Sequence, residues 1–188
     1  MTKSVIGYLI APKNIVYGQA KIYPDGWVII PRMIDKFIRL VEVFSKYNVR
    51  YLFIGKGAGI LFGYPGTTQD IDIFPKKTKE NCNNLVGALK ELGFGMDKAL
   101  EDGIIAGKDF IQIRGGPFPI DIVFAPDGIE SFDEAEKRKT LIDERFPCAS
   151  IEDIIASKRA AKRQRDREEL PRLEAFRDEL KKKEFGQD

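Results

Sequence analysis

Three aspartates carry the chemistry this chain could do. Asp70 and Asp72 stand two residues apart in Asp70-Ile71-Asp72-Ile73-Phe74, a run that reads as a strand. Residues i and i+2 of a strand point to one face, so both carboxylates project together with Ile71 and Ile73 opposite. Their Cα atoms should lie roughly 6.6 Å apart at the usual strand rise. Two ionised carboxylates on a largely buried strand repel, and each is costly to desolvate. A divalent cation would remove that conflict. Asp121 repeats the theme inside Ile120-Asp121-Ile122-Val123-Phe124. If its strand pairs beside the first, three carboxylates converge as a hard oxygen site suited to Mg²⁺, with Mn²⁺ as an alternative. Such ions lower the pKa of an attacking hydroxyl and stabilise a leaving phosphate. Taken alone, Asp-x-Asp is more often the outward face of a half-exposed strand. The third strand acid and the glycine loop upstream shift the balance toward a metal site.

That loop is Gly55-Lys56-Gly57-Ala58-Gly59, which follows the apolar strand Tyr51-Leu52-Phe53-Ile54 and opens a short helix to about Phe62. Glycine lets backbone approach a phosphate, and helix N-terminal amides face an anion. The loop has neither the spacing of a Walker A motif nor the third glycine of a dinucleotide fingerprint, and a ligand-free strand–helix turn reads equally well from it alone.

The rest of the composition narrows the choice. The 188 residues contain no histidine, which excludes Ser-His-Asp and Cys-His catalysis and histidine-containing zinc sites. Cys82 and Cys148 are too far apart in sequence for a paired metal motif and read as reduced thiols of a cytoplasmic protein. Lys and Arg number 31 against 29 Asp and Glu, so overall charge gives little reason to invoke nucleic acid. No stretch approaches the roughly 18 uncharged apolar residues of a membrane span, and the N-terminus lacks a signal peptide's apolar centre.

The elements that must hold these residues follow from periodicity. Residues 1–31 read as short strands, Val5–Ile10, Ile15–Ile22 and Trp27–Ile30, separated by turn residues. Ile34, Phe37, Ile38, Val41 and Phe44 recur at helical spacing, giving a helix from Pro31 to about Tyr47. A helix is expected over 78–92 with Leu85, Leu89 and Leu92 inward and Gly93 ending it. Phe110–Ile113 and Ile120–Phe124 are two strands around Gly115-Gly116-Pro117, and 131–139 a short helix. Ser150 and Asp153 make a capping-box-like start to a basic helical run through Arg167. A second helix is expected after Pro171, with Leu173, Phe176 and Leu180 inward, and a frayed tail from Lys181. The expected organisation is α+β: an N-terminal β appendage (1–31), a mixed-sheet core flanked by helices (32–147) and a C-terminal helical lobe (148–188).

In the lobe, Lys158, Lys162 and Arg165 fall at three- and four-residue steps and are expected on one helix face, with Arg159 and Arg163 as an adjacent stripe. Most of these read as a solvated basic face balanced by Asp166, Glu168 and Glu169. Lys158 is the exception, because it follows the apolar turn Ile154-Ile155.

The stretch Phe53-Ile54-Gly55-Lys56-Gly57-Ala58-Gly59-Ile60-Leu61-Phe62-Gly63, then Thr67-Thr68-Gln69-Asp70-Ile71-Asp72, resembles the minimal nucleotidyltransferases of the polymerase-β-like superfamily. Asp121 fits their third acid. The run Ser150–Lys158 with Arg163–Asp166 and Leu170 is similar to the closing motif of the AbiEii-type toxin branch. The resemblance implies a nucleotidyltransferase-like core that moves a nucleoside monophosphate from an NTP to an acceptor hydroxyl with Mg²⁺. It implies Asp70, Asp72 and Asp121 as metal ligands and catalytic acids. It implies Gly55, Lys56, Gly57 and Thr68 around the nucleotide, Lys158 on its phosphates and Asp166 nearby. It also implies a toxin-like role, with an RNA acceptor such as a tRNA 3′ end and an antitoxin partner. Two positions depart from the pattern: Lys56 stands where a second Gly or Ser is usual, and Gly66 where an arginine often precedes the threonines. They motivate a second reading, a non-catalytic nucleotide- or RNA-binding module; a third is a transferase acting on a small aminoglycoside-like molecule.

Overall fold

A six-stranded mixed sheet forms from short apolar runs, and helices cover it. The computed structural model describes residues 21–22, 28–29 and 32–184. Strands β1 (Lys21–Ile22) and β2 (Val28–Ile29) pair antiparallel with each other. The rest of the expected N-terminal β appendage lies outside the described residues. The core starts with α1 (Arg32–Lys46), β3 (Tyr51–Ile54), α2 (Gly55–Leu61) and β4 (Ile71–Pro75). It continues through α3 (Lys79–Leu92), α4 (Lys98–Ala106), β5 (Phe110–Ile113), β6 (Ile120–Val123) and α5 (Phe132–Lys137). It closes with β7 (Thr140–Ile142), β8 (Phe146–Cys148), α6 (Ile151–Ala161) and α7 (Gln164–Glu184).

The strand order is β5-β6-β4-β3-β8-β7. β4 runs parallel to β6 and β3 parallel to β8, while the other pairs are antiparallel. The two central strands, β3 and β4, are buried along nearly their whole length, which is why they read as near-continuous apolar runs. The α1 stripe lies on this sheet as expected: Phe37 meets Phe53 edge-on at 5.2 Å and Phe44 meets Tyr51 at 4.9 Å. Phe37, Phe44, Phe53 and Phe146 are wholly buried, and truncating one to alanine would cost about 3–5 kcal/mol. The two cysteines are free and buried. Among the described residues no helix is long and apolar enough to cross a membrane.

Local caps agree with the sequence. The Thr78 hydroxyl accepts from Asn81 N–H to start α3, and Gly93 ends it at φ 93°. The Ser150 hydroxyl accepts from Asp153 N–H to start α6. Other expectations are corrected. Helix α4 and strands β7 and β8 were not foreseen; α4 is capped by Asp97 and ends on Gly107 in the left-handed region. The basic run is not one helix. α6 stops at Ala161, Lys162 turns left-handed at φ 52°, and α7 begins at Gln164. Lys158, Lys162 and Arg165 therefore do not share a helix face. α7 also passes through Pro171 rather than starting after it, and it extends to Glu184 where a frayed tail was expected. The turn sends α7 back along α6, tied by Arg159 to Glu174 and Lys181 to Glu152.

Candidate active site

Parallel pairing of β4 and β6 sets the site. Their register places Asp72 directly beside Asp121, with Ile71 against Ile120 and Ile73 against Ile122. The isoleucines are fully buried on one side of the sheet, which turns both carboxylates to the other. Asp70 sits one residue before β4. Its Oδ1 accepts from the Thr68 hydroxyl at 2.7 Å. Lys36 of α1 holds this approach by donating to the carbonyl of Gln69 at 2.7 Å and of Thr68 at 3.3 Å.

Gly55 closes the other flank. It takes φ +65°, and a Cβ there would lie 2.9 Å from Asp72 Cγ. Both the left-handed backbone and the room needed by the carboxylate exclude a side chain at this position. The loop that follows folds its tip over Lys56, since a Cβ on Gly66 would come within 3.2 Å of the Lys56 Cε.

Asp121 is 7% exposed. Gln112 of β5, its cross-strand partner, donates to Oδ2 at 3.3 Å. Oδ1 is buried and accepts no hydrogen bond; its nearest cation is Arg114, with Nη2 at 3.5 Å. The same guanidinium places Nη1 3.8 Å from Asp70 Oδ2. Arg114 therefore stands between two of the three acids.

The electrostatics differ from acid to acid. Burial, then the charges of Asp70 and Asp121, push the Asp72 carboxyl up to about 7, against the pull of Lys158 and Arg163. Asp72 keeps some open surface, yet its carboxyl is hemmed by Gly55 and two other acids. Asp121 is raised by burial, with Gln112 and Arg114 opposing and Asp70 adding to the rise. Burial also raises Asp70, but the Thr68 hydroxyl, its own amide, Arg114 and Lys36 outweigh it and leave the carboxyl below its usual range.

The C-terminal lobe supplies the opposite wall. The Lys158 ammonium, 13% exposed, donates to Asp166 at 3.1 Å and to Glu169 at 2.8 Å. Burial would lower its pKa, but these two carboxylates raise it, so it stays charged. Glu169 also reaches Lys56 of the glycine loop at 3.6 Å. A cavity of about 640 Å³ opens at the α6–α7 joint, lined by Arg163, Gln164, Arg165, Asp166 and Glu168.

The structure thus brings Asp70, Asp72, Asp121, Gly55, Thr68 and Lys158 to one end of the sheet, with Lys56 and Asp166 joined to them through Glu169 and Lys158. Gly57 faces Phe37 and the Thr68 methyl. Three residues of the site are not marked as such by the sequence: Lys36, Arg114 and Glu169. Arg114 had a signal, because Gln112 and Arg114 alternate with the apolar Ile111 and Ile113. Glu169 had none, because it reaches Lys158 only once α7 folds back.

Among the described residues no group of three or more carboxylate, thiol or imidazole side chains is drawn close enough to hold a metal ion as it stands. The three acids share a face and a field rather than a closed cage, since Asp70 is turned to Thr68 and Arg114. The residues still fit a hard divalent cation on two counts. Asp121 Oδ1 is an orphaned buried acceptor, and the protonation-favouring repulsion around Asp72 is what a cation would relieve. The available donors are all oxygens, as Mg²⁺ prefers.

Comparison with known proteins adds a likeness in fold. No family model matches the chain, and no curated protein matches it. Among solved structures, the chain is similar to a crystal structure of a candidate nucleotidyltransferase from Thermotoga maritima. The two are 16% identical with a TM-score of 0.47, over 85% of this chain and 99% of that one.

Proposed function

We propose that this end of the sheet is a nucleotidyl-transfer site that takes an NTP and an acceptor hydroxyl and releases pyrophosphate. The reading is carried by the side-by-side register of Asp72 and Asp121, with the buried Oδ1 of Asp121 free of hydrogen bonds and a glycine backbone packed against Asp72. A divalent cation bound here would neutralise phosphate charge and make the acceptor hydroxyl more acidic. Asp70, Asp72 and Asp121 would hold it. Asp121 receives the hydroxyl proton as the acceptor oxygen bonds to the α-phosphorus and the bond to pyrophosphate breaks. The glycine loop, Lys56 and Thr68 border the space for the phosphate tail. Lys158, kept charged by Glu169 and Asp166, faces the same tail from the lobe. Arg163 and Arg165 line the adjoining cavity and suit an acceptor with a phosphate backbone, such as an RNA 3′ end. A toxin role with a separate antitoxin belongs to the same proposal and rests on the resemblance alone.

The test is transfer of label from each of the four α-labelled NTPs with Mg²⁺, using total RNA, protein and an aminoglycoside as acceptors. Label on RNA supports the proposal as written; label on the aminoglycoside moves it to a small-molecule transferase. A second reading, a nucleotide-binding module without turnover, is favoured by Lys56, Gly66 and the guanidinium between Asp70 and Asp121. Nucleotide binding by calorimetry with no transfer to any acceptor would establish it. Lys158→Ala is expected to weaken NTP affinity more than Lys162→Ala; equal losses would mean that the basic groups act only as a diffuse field.

A further inference from the structure

We infer that Arg114 is a tethered counter-ion that occupies the gap between Asp70 and Asp121 until a divalent cation takes it, and then turns to bind the anionic tail of the substrate. The inference rests on the nucleotidyl-transfer reading of the acids. Its evidence is positional. The guanidinium reaches Asp70 at 3.8 Å and Asp121 at 3.5 Å, distances of ion pairing without a hydrogen bond to the buried Oδ1. A resident side chain at such a deep acceptor would be expected to bond to it if this were its final partner. Arg114 is instead half-exposed, with 49% of its side-chain surface open to solvent.

The surrounding chain lets it move. Arg114 is the first residue after β5, in the hairpin that leads to β6. Gly115, next in line, has open space where a Cβ would stand, whereas Gly116 is packed against the Phe94 ring. The hairpin is thus anchored at Gly116 and Phe118, which meets Phe94 edge-on at 5.3 Å, and free at the arginine. A divalent cation has twice the charge of a guanidinium and smaller radius, so it outcompetes it for two carboxylates. The displaced guanidinium then lies beside a phosphate site with planar donors that match phosphate oxygens. That supplies the arginine the glycine loop lacks at Gly66, from a different element.

The consequence is measurable without turnover. Mn²⁺ binding is followed by electron paramagnetic resonance on the full chain, and thermal unfolding is recorded with and without Mn²⁺. The variants are Arg114→Ala, Arg114→Lys and, as an equal change of charge on the exposed surface of α5, Lys137→Ala. Arg114→Ala should bind Mn²⁺ roughly tenfold more tightly than wild type, the size of removing one cation a few ångströms away in a wet site. It should unfold at lower temperature without Mn²⁺ and gain more from Mn²⁺ than wild type does. It should also bind pyrophosphate more weakly once Mn²⁺ is present. Arg114→Lys should lie between, and Lys137→Ala should match wild type. Equal Mn²⁺ affinity in wild type and Arg114→Ala overturns the inference and leaves the transfer reading standing. Absence of Mn²⁺ binding by wild type overturns both.

Discussion

Two carboxylates of almost equal burial meet opposite fates in this fold. Asp153, at the start of α6, is 6% exposed and Asp121, on β6, is 7% exposed. Asp153 accepts from Arg138 through both oxygens, at 2.8 and 3.3 Å, and its backbone N–H is capped by Ser150. Asp121 has one hydrogen bond from a neutral amide, one oxygen with none, and two further acids beside it. The far end of the same central ladder resembles Asp153. There Asn81 accepts from Arg50 N–H at 2.7 Å and donates to the carbonyls of Arg50 and Lys76, both at 2.9 Å. Asp153 and Asn81 have every polar atom answered by a close partner, whereas Asp121 keeps one oxygen without a hydrogen bond and has its nearest cation, the Arg114 guanidinium, at 3.5 Å.

That contrast can be broken most sharply at Arg138. Arg138→Ala leaves the Asp153 charge buried and should cost about 2 kcal/mol in urea unfolding, less than a wholly buried pair because Arg138 is 39% exposed. Removing charge at the other region should act in the opposite direction. Asp72 has a carboxyl pushed up to about 7 in the folded chain, against an ordinary value of 3.8. Between those values the folded state holds more protons than the unfolded one, so stability falls as pH rises through that window and the full cost is present above it. Asp72→Asn should therefore stabilise the metal-free protein at pH 8, by at most about 4 kcal/mol, and flatten its stability between about pH 4 and pH 7. A variant less stable than wild type at pH 8 would show that Asp72 is held by attraction after all.

Smaller effects sharpen the same comparison. Gly55→Ala should cost about 1–2 kcal/mol from the left-handed backbone alone, and the added methyl should also displace the Asp72 carboxylate and weaken Mn²⁺ binding. Glu169→Gln removes one of the two charges on Lys158. It should leave unfolding within about 1 kcal/mol of wild type because Asp166 remains, yet shift the pH dependence of nucleotide affinity downward at its alkaline limb as Lys158 loses part of its support. An unchanged limb would remove Lys158 from the phosphate site.

Much of this was legible in the sequence because it depends on local period. The alternation of Asp with Ile in β4 and β6 gave the face of each acid, and glycine after an apolar strand gave the turn at Gly55. The register between β4 and β6 was only conditional, since pairing of strands separated by two helices leaves no local mark. Helix α4 escaped because its apolar residues, Leu100, Ile104 and Ile105, are few and Gly103 interrupts them. Strands β7 and β8 are three residues each, too short for a period. The break at Lys162 carries neither glycine nor proline, while Pro171 sits inside a helix that tolerates it, so punctuation misled at both places. Arg114, Lys36 and Glu169 reach the site from loops and neighbouring helices, and only the folded chain brings them together.

The central claim is that Asp72 and its neighbours bind nucleotide through a divalent cation. It is tested most directly by calorimetric titration of NTP into wild type and Asp72→Ala, each with Mg²⁺ and with EDTA, after circular dichroism has shown both to be folded. The account predicts Mg²⁺-dependent affinity in wild type and its loss in Asp72→Ala. Mg²⁺-dependent affinity preserved in the variant would contradict it.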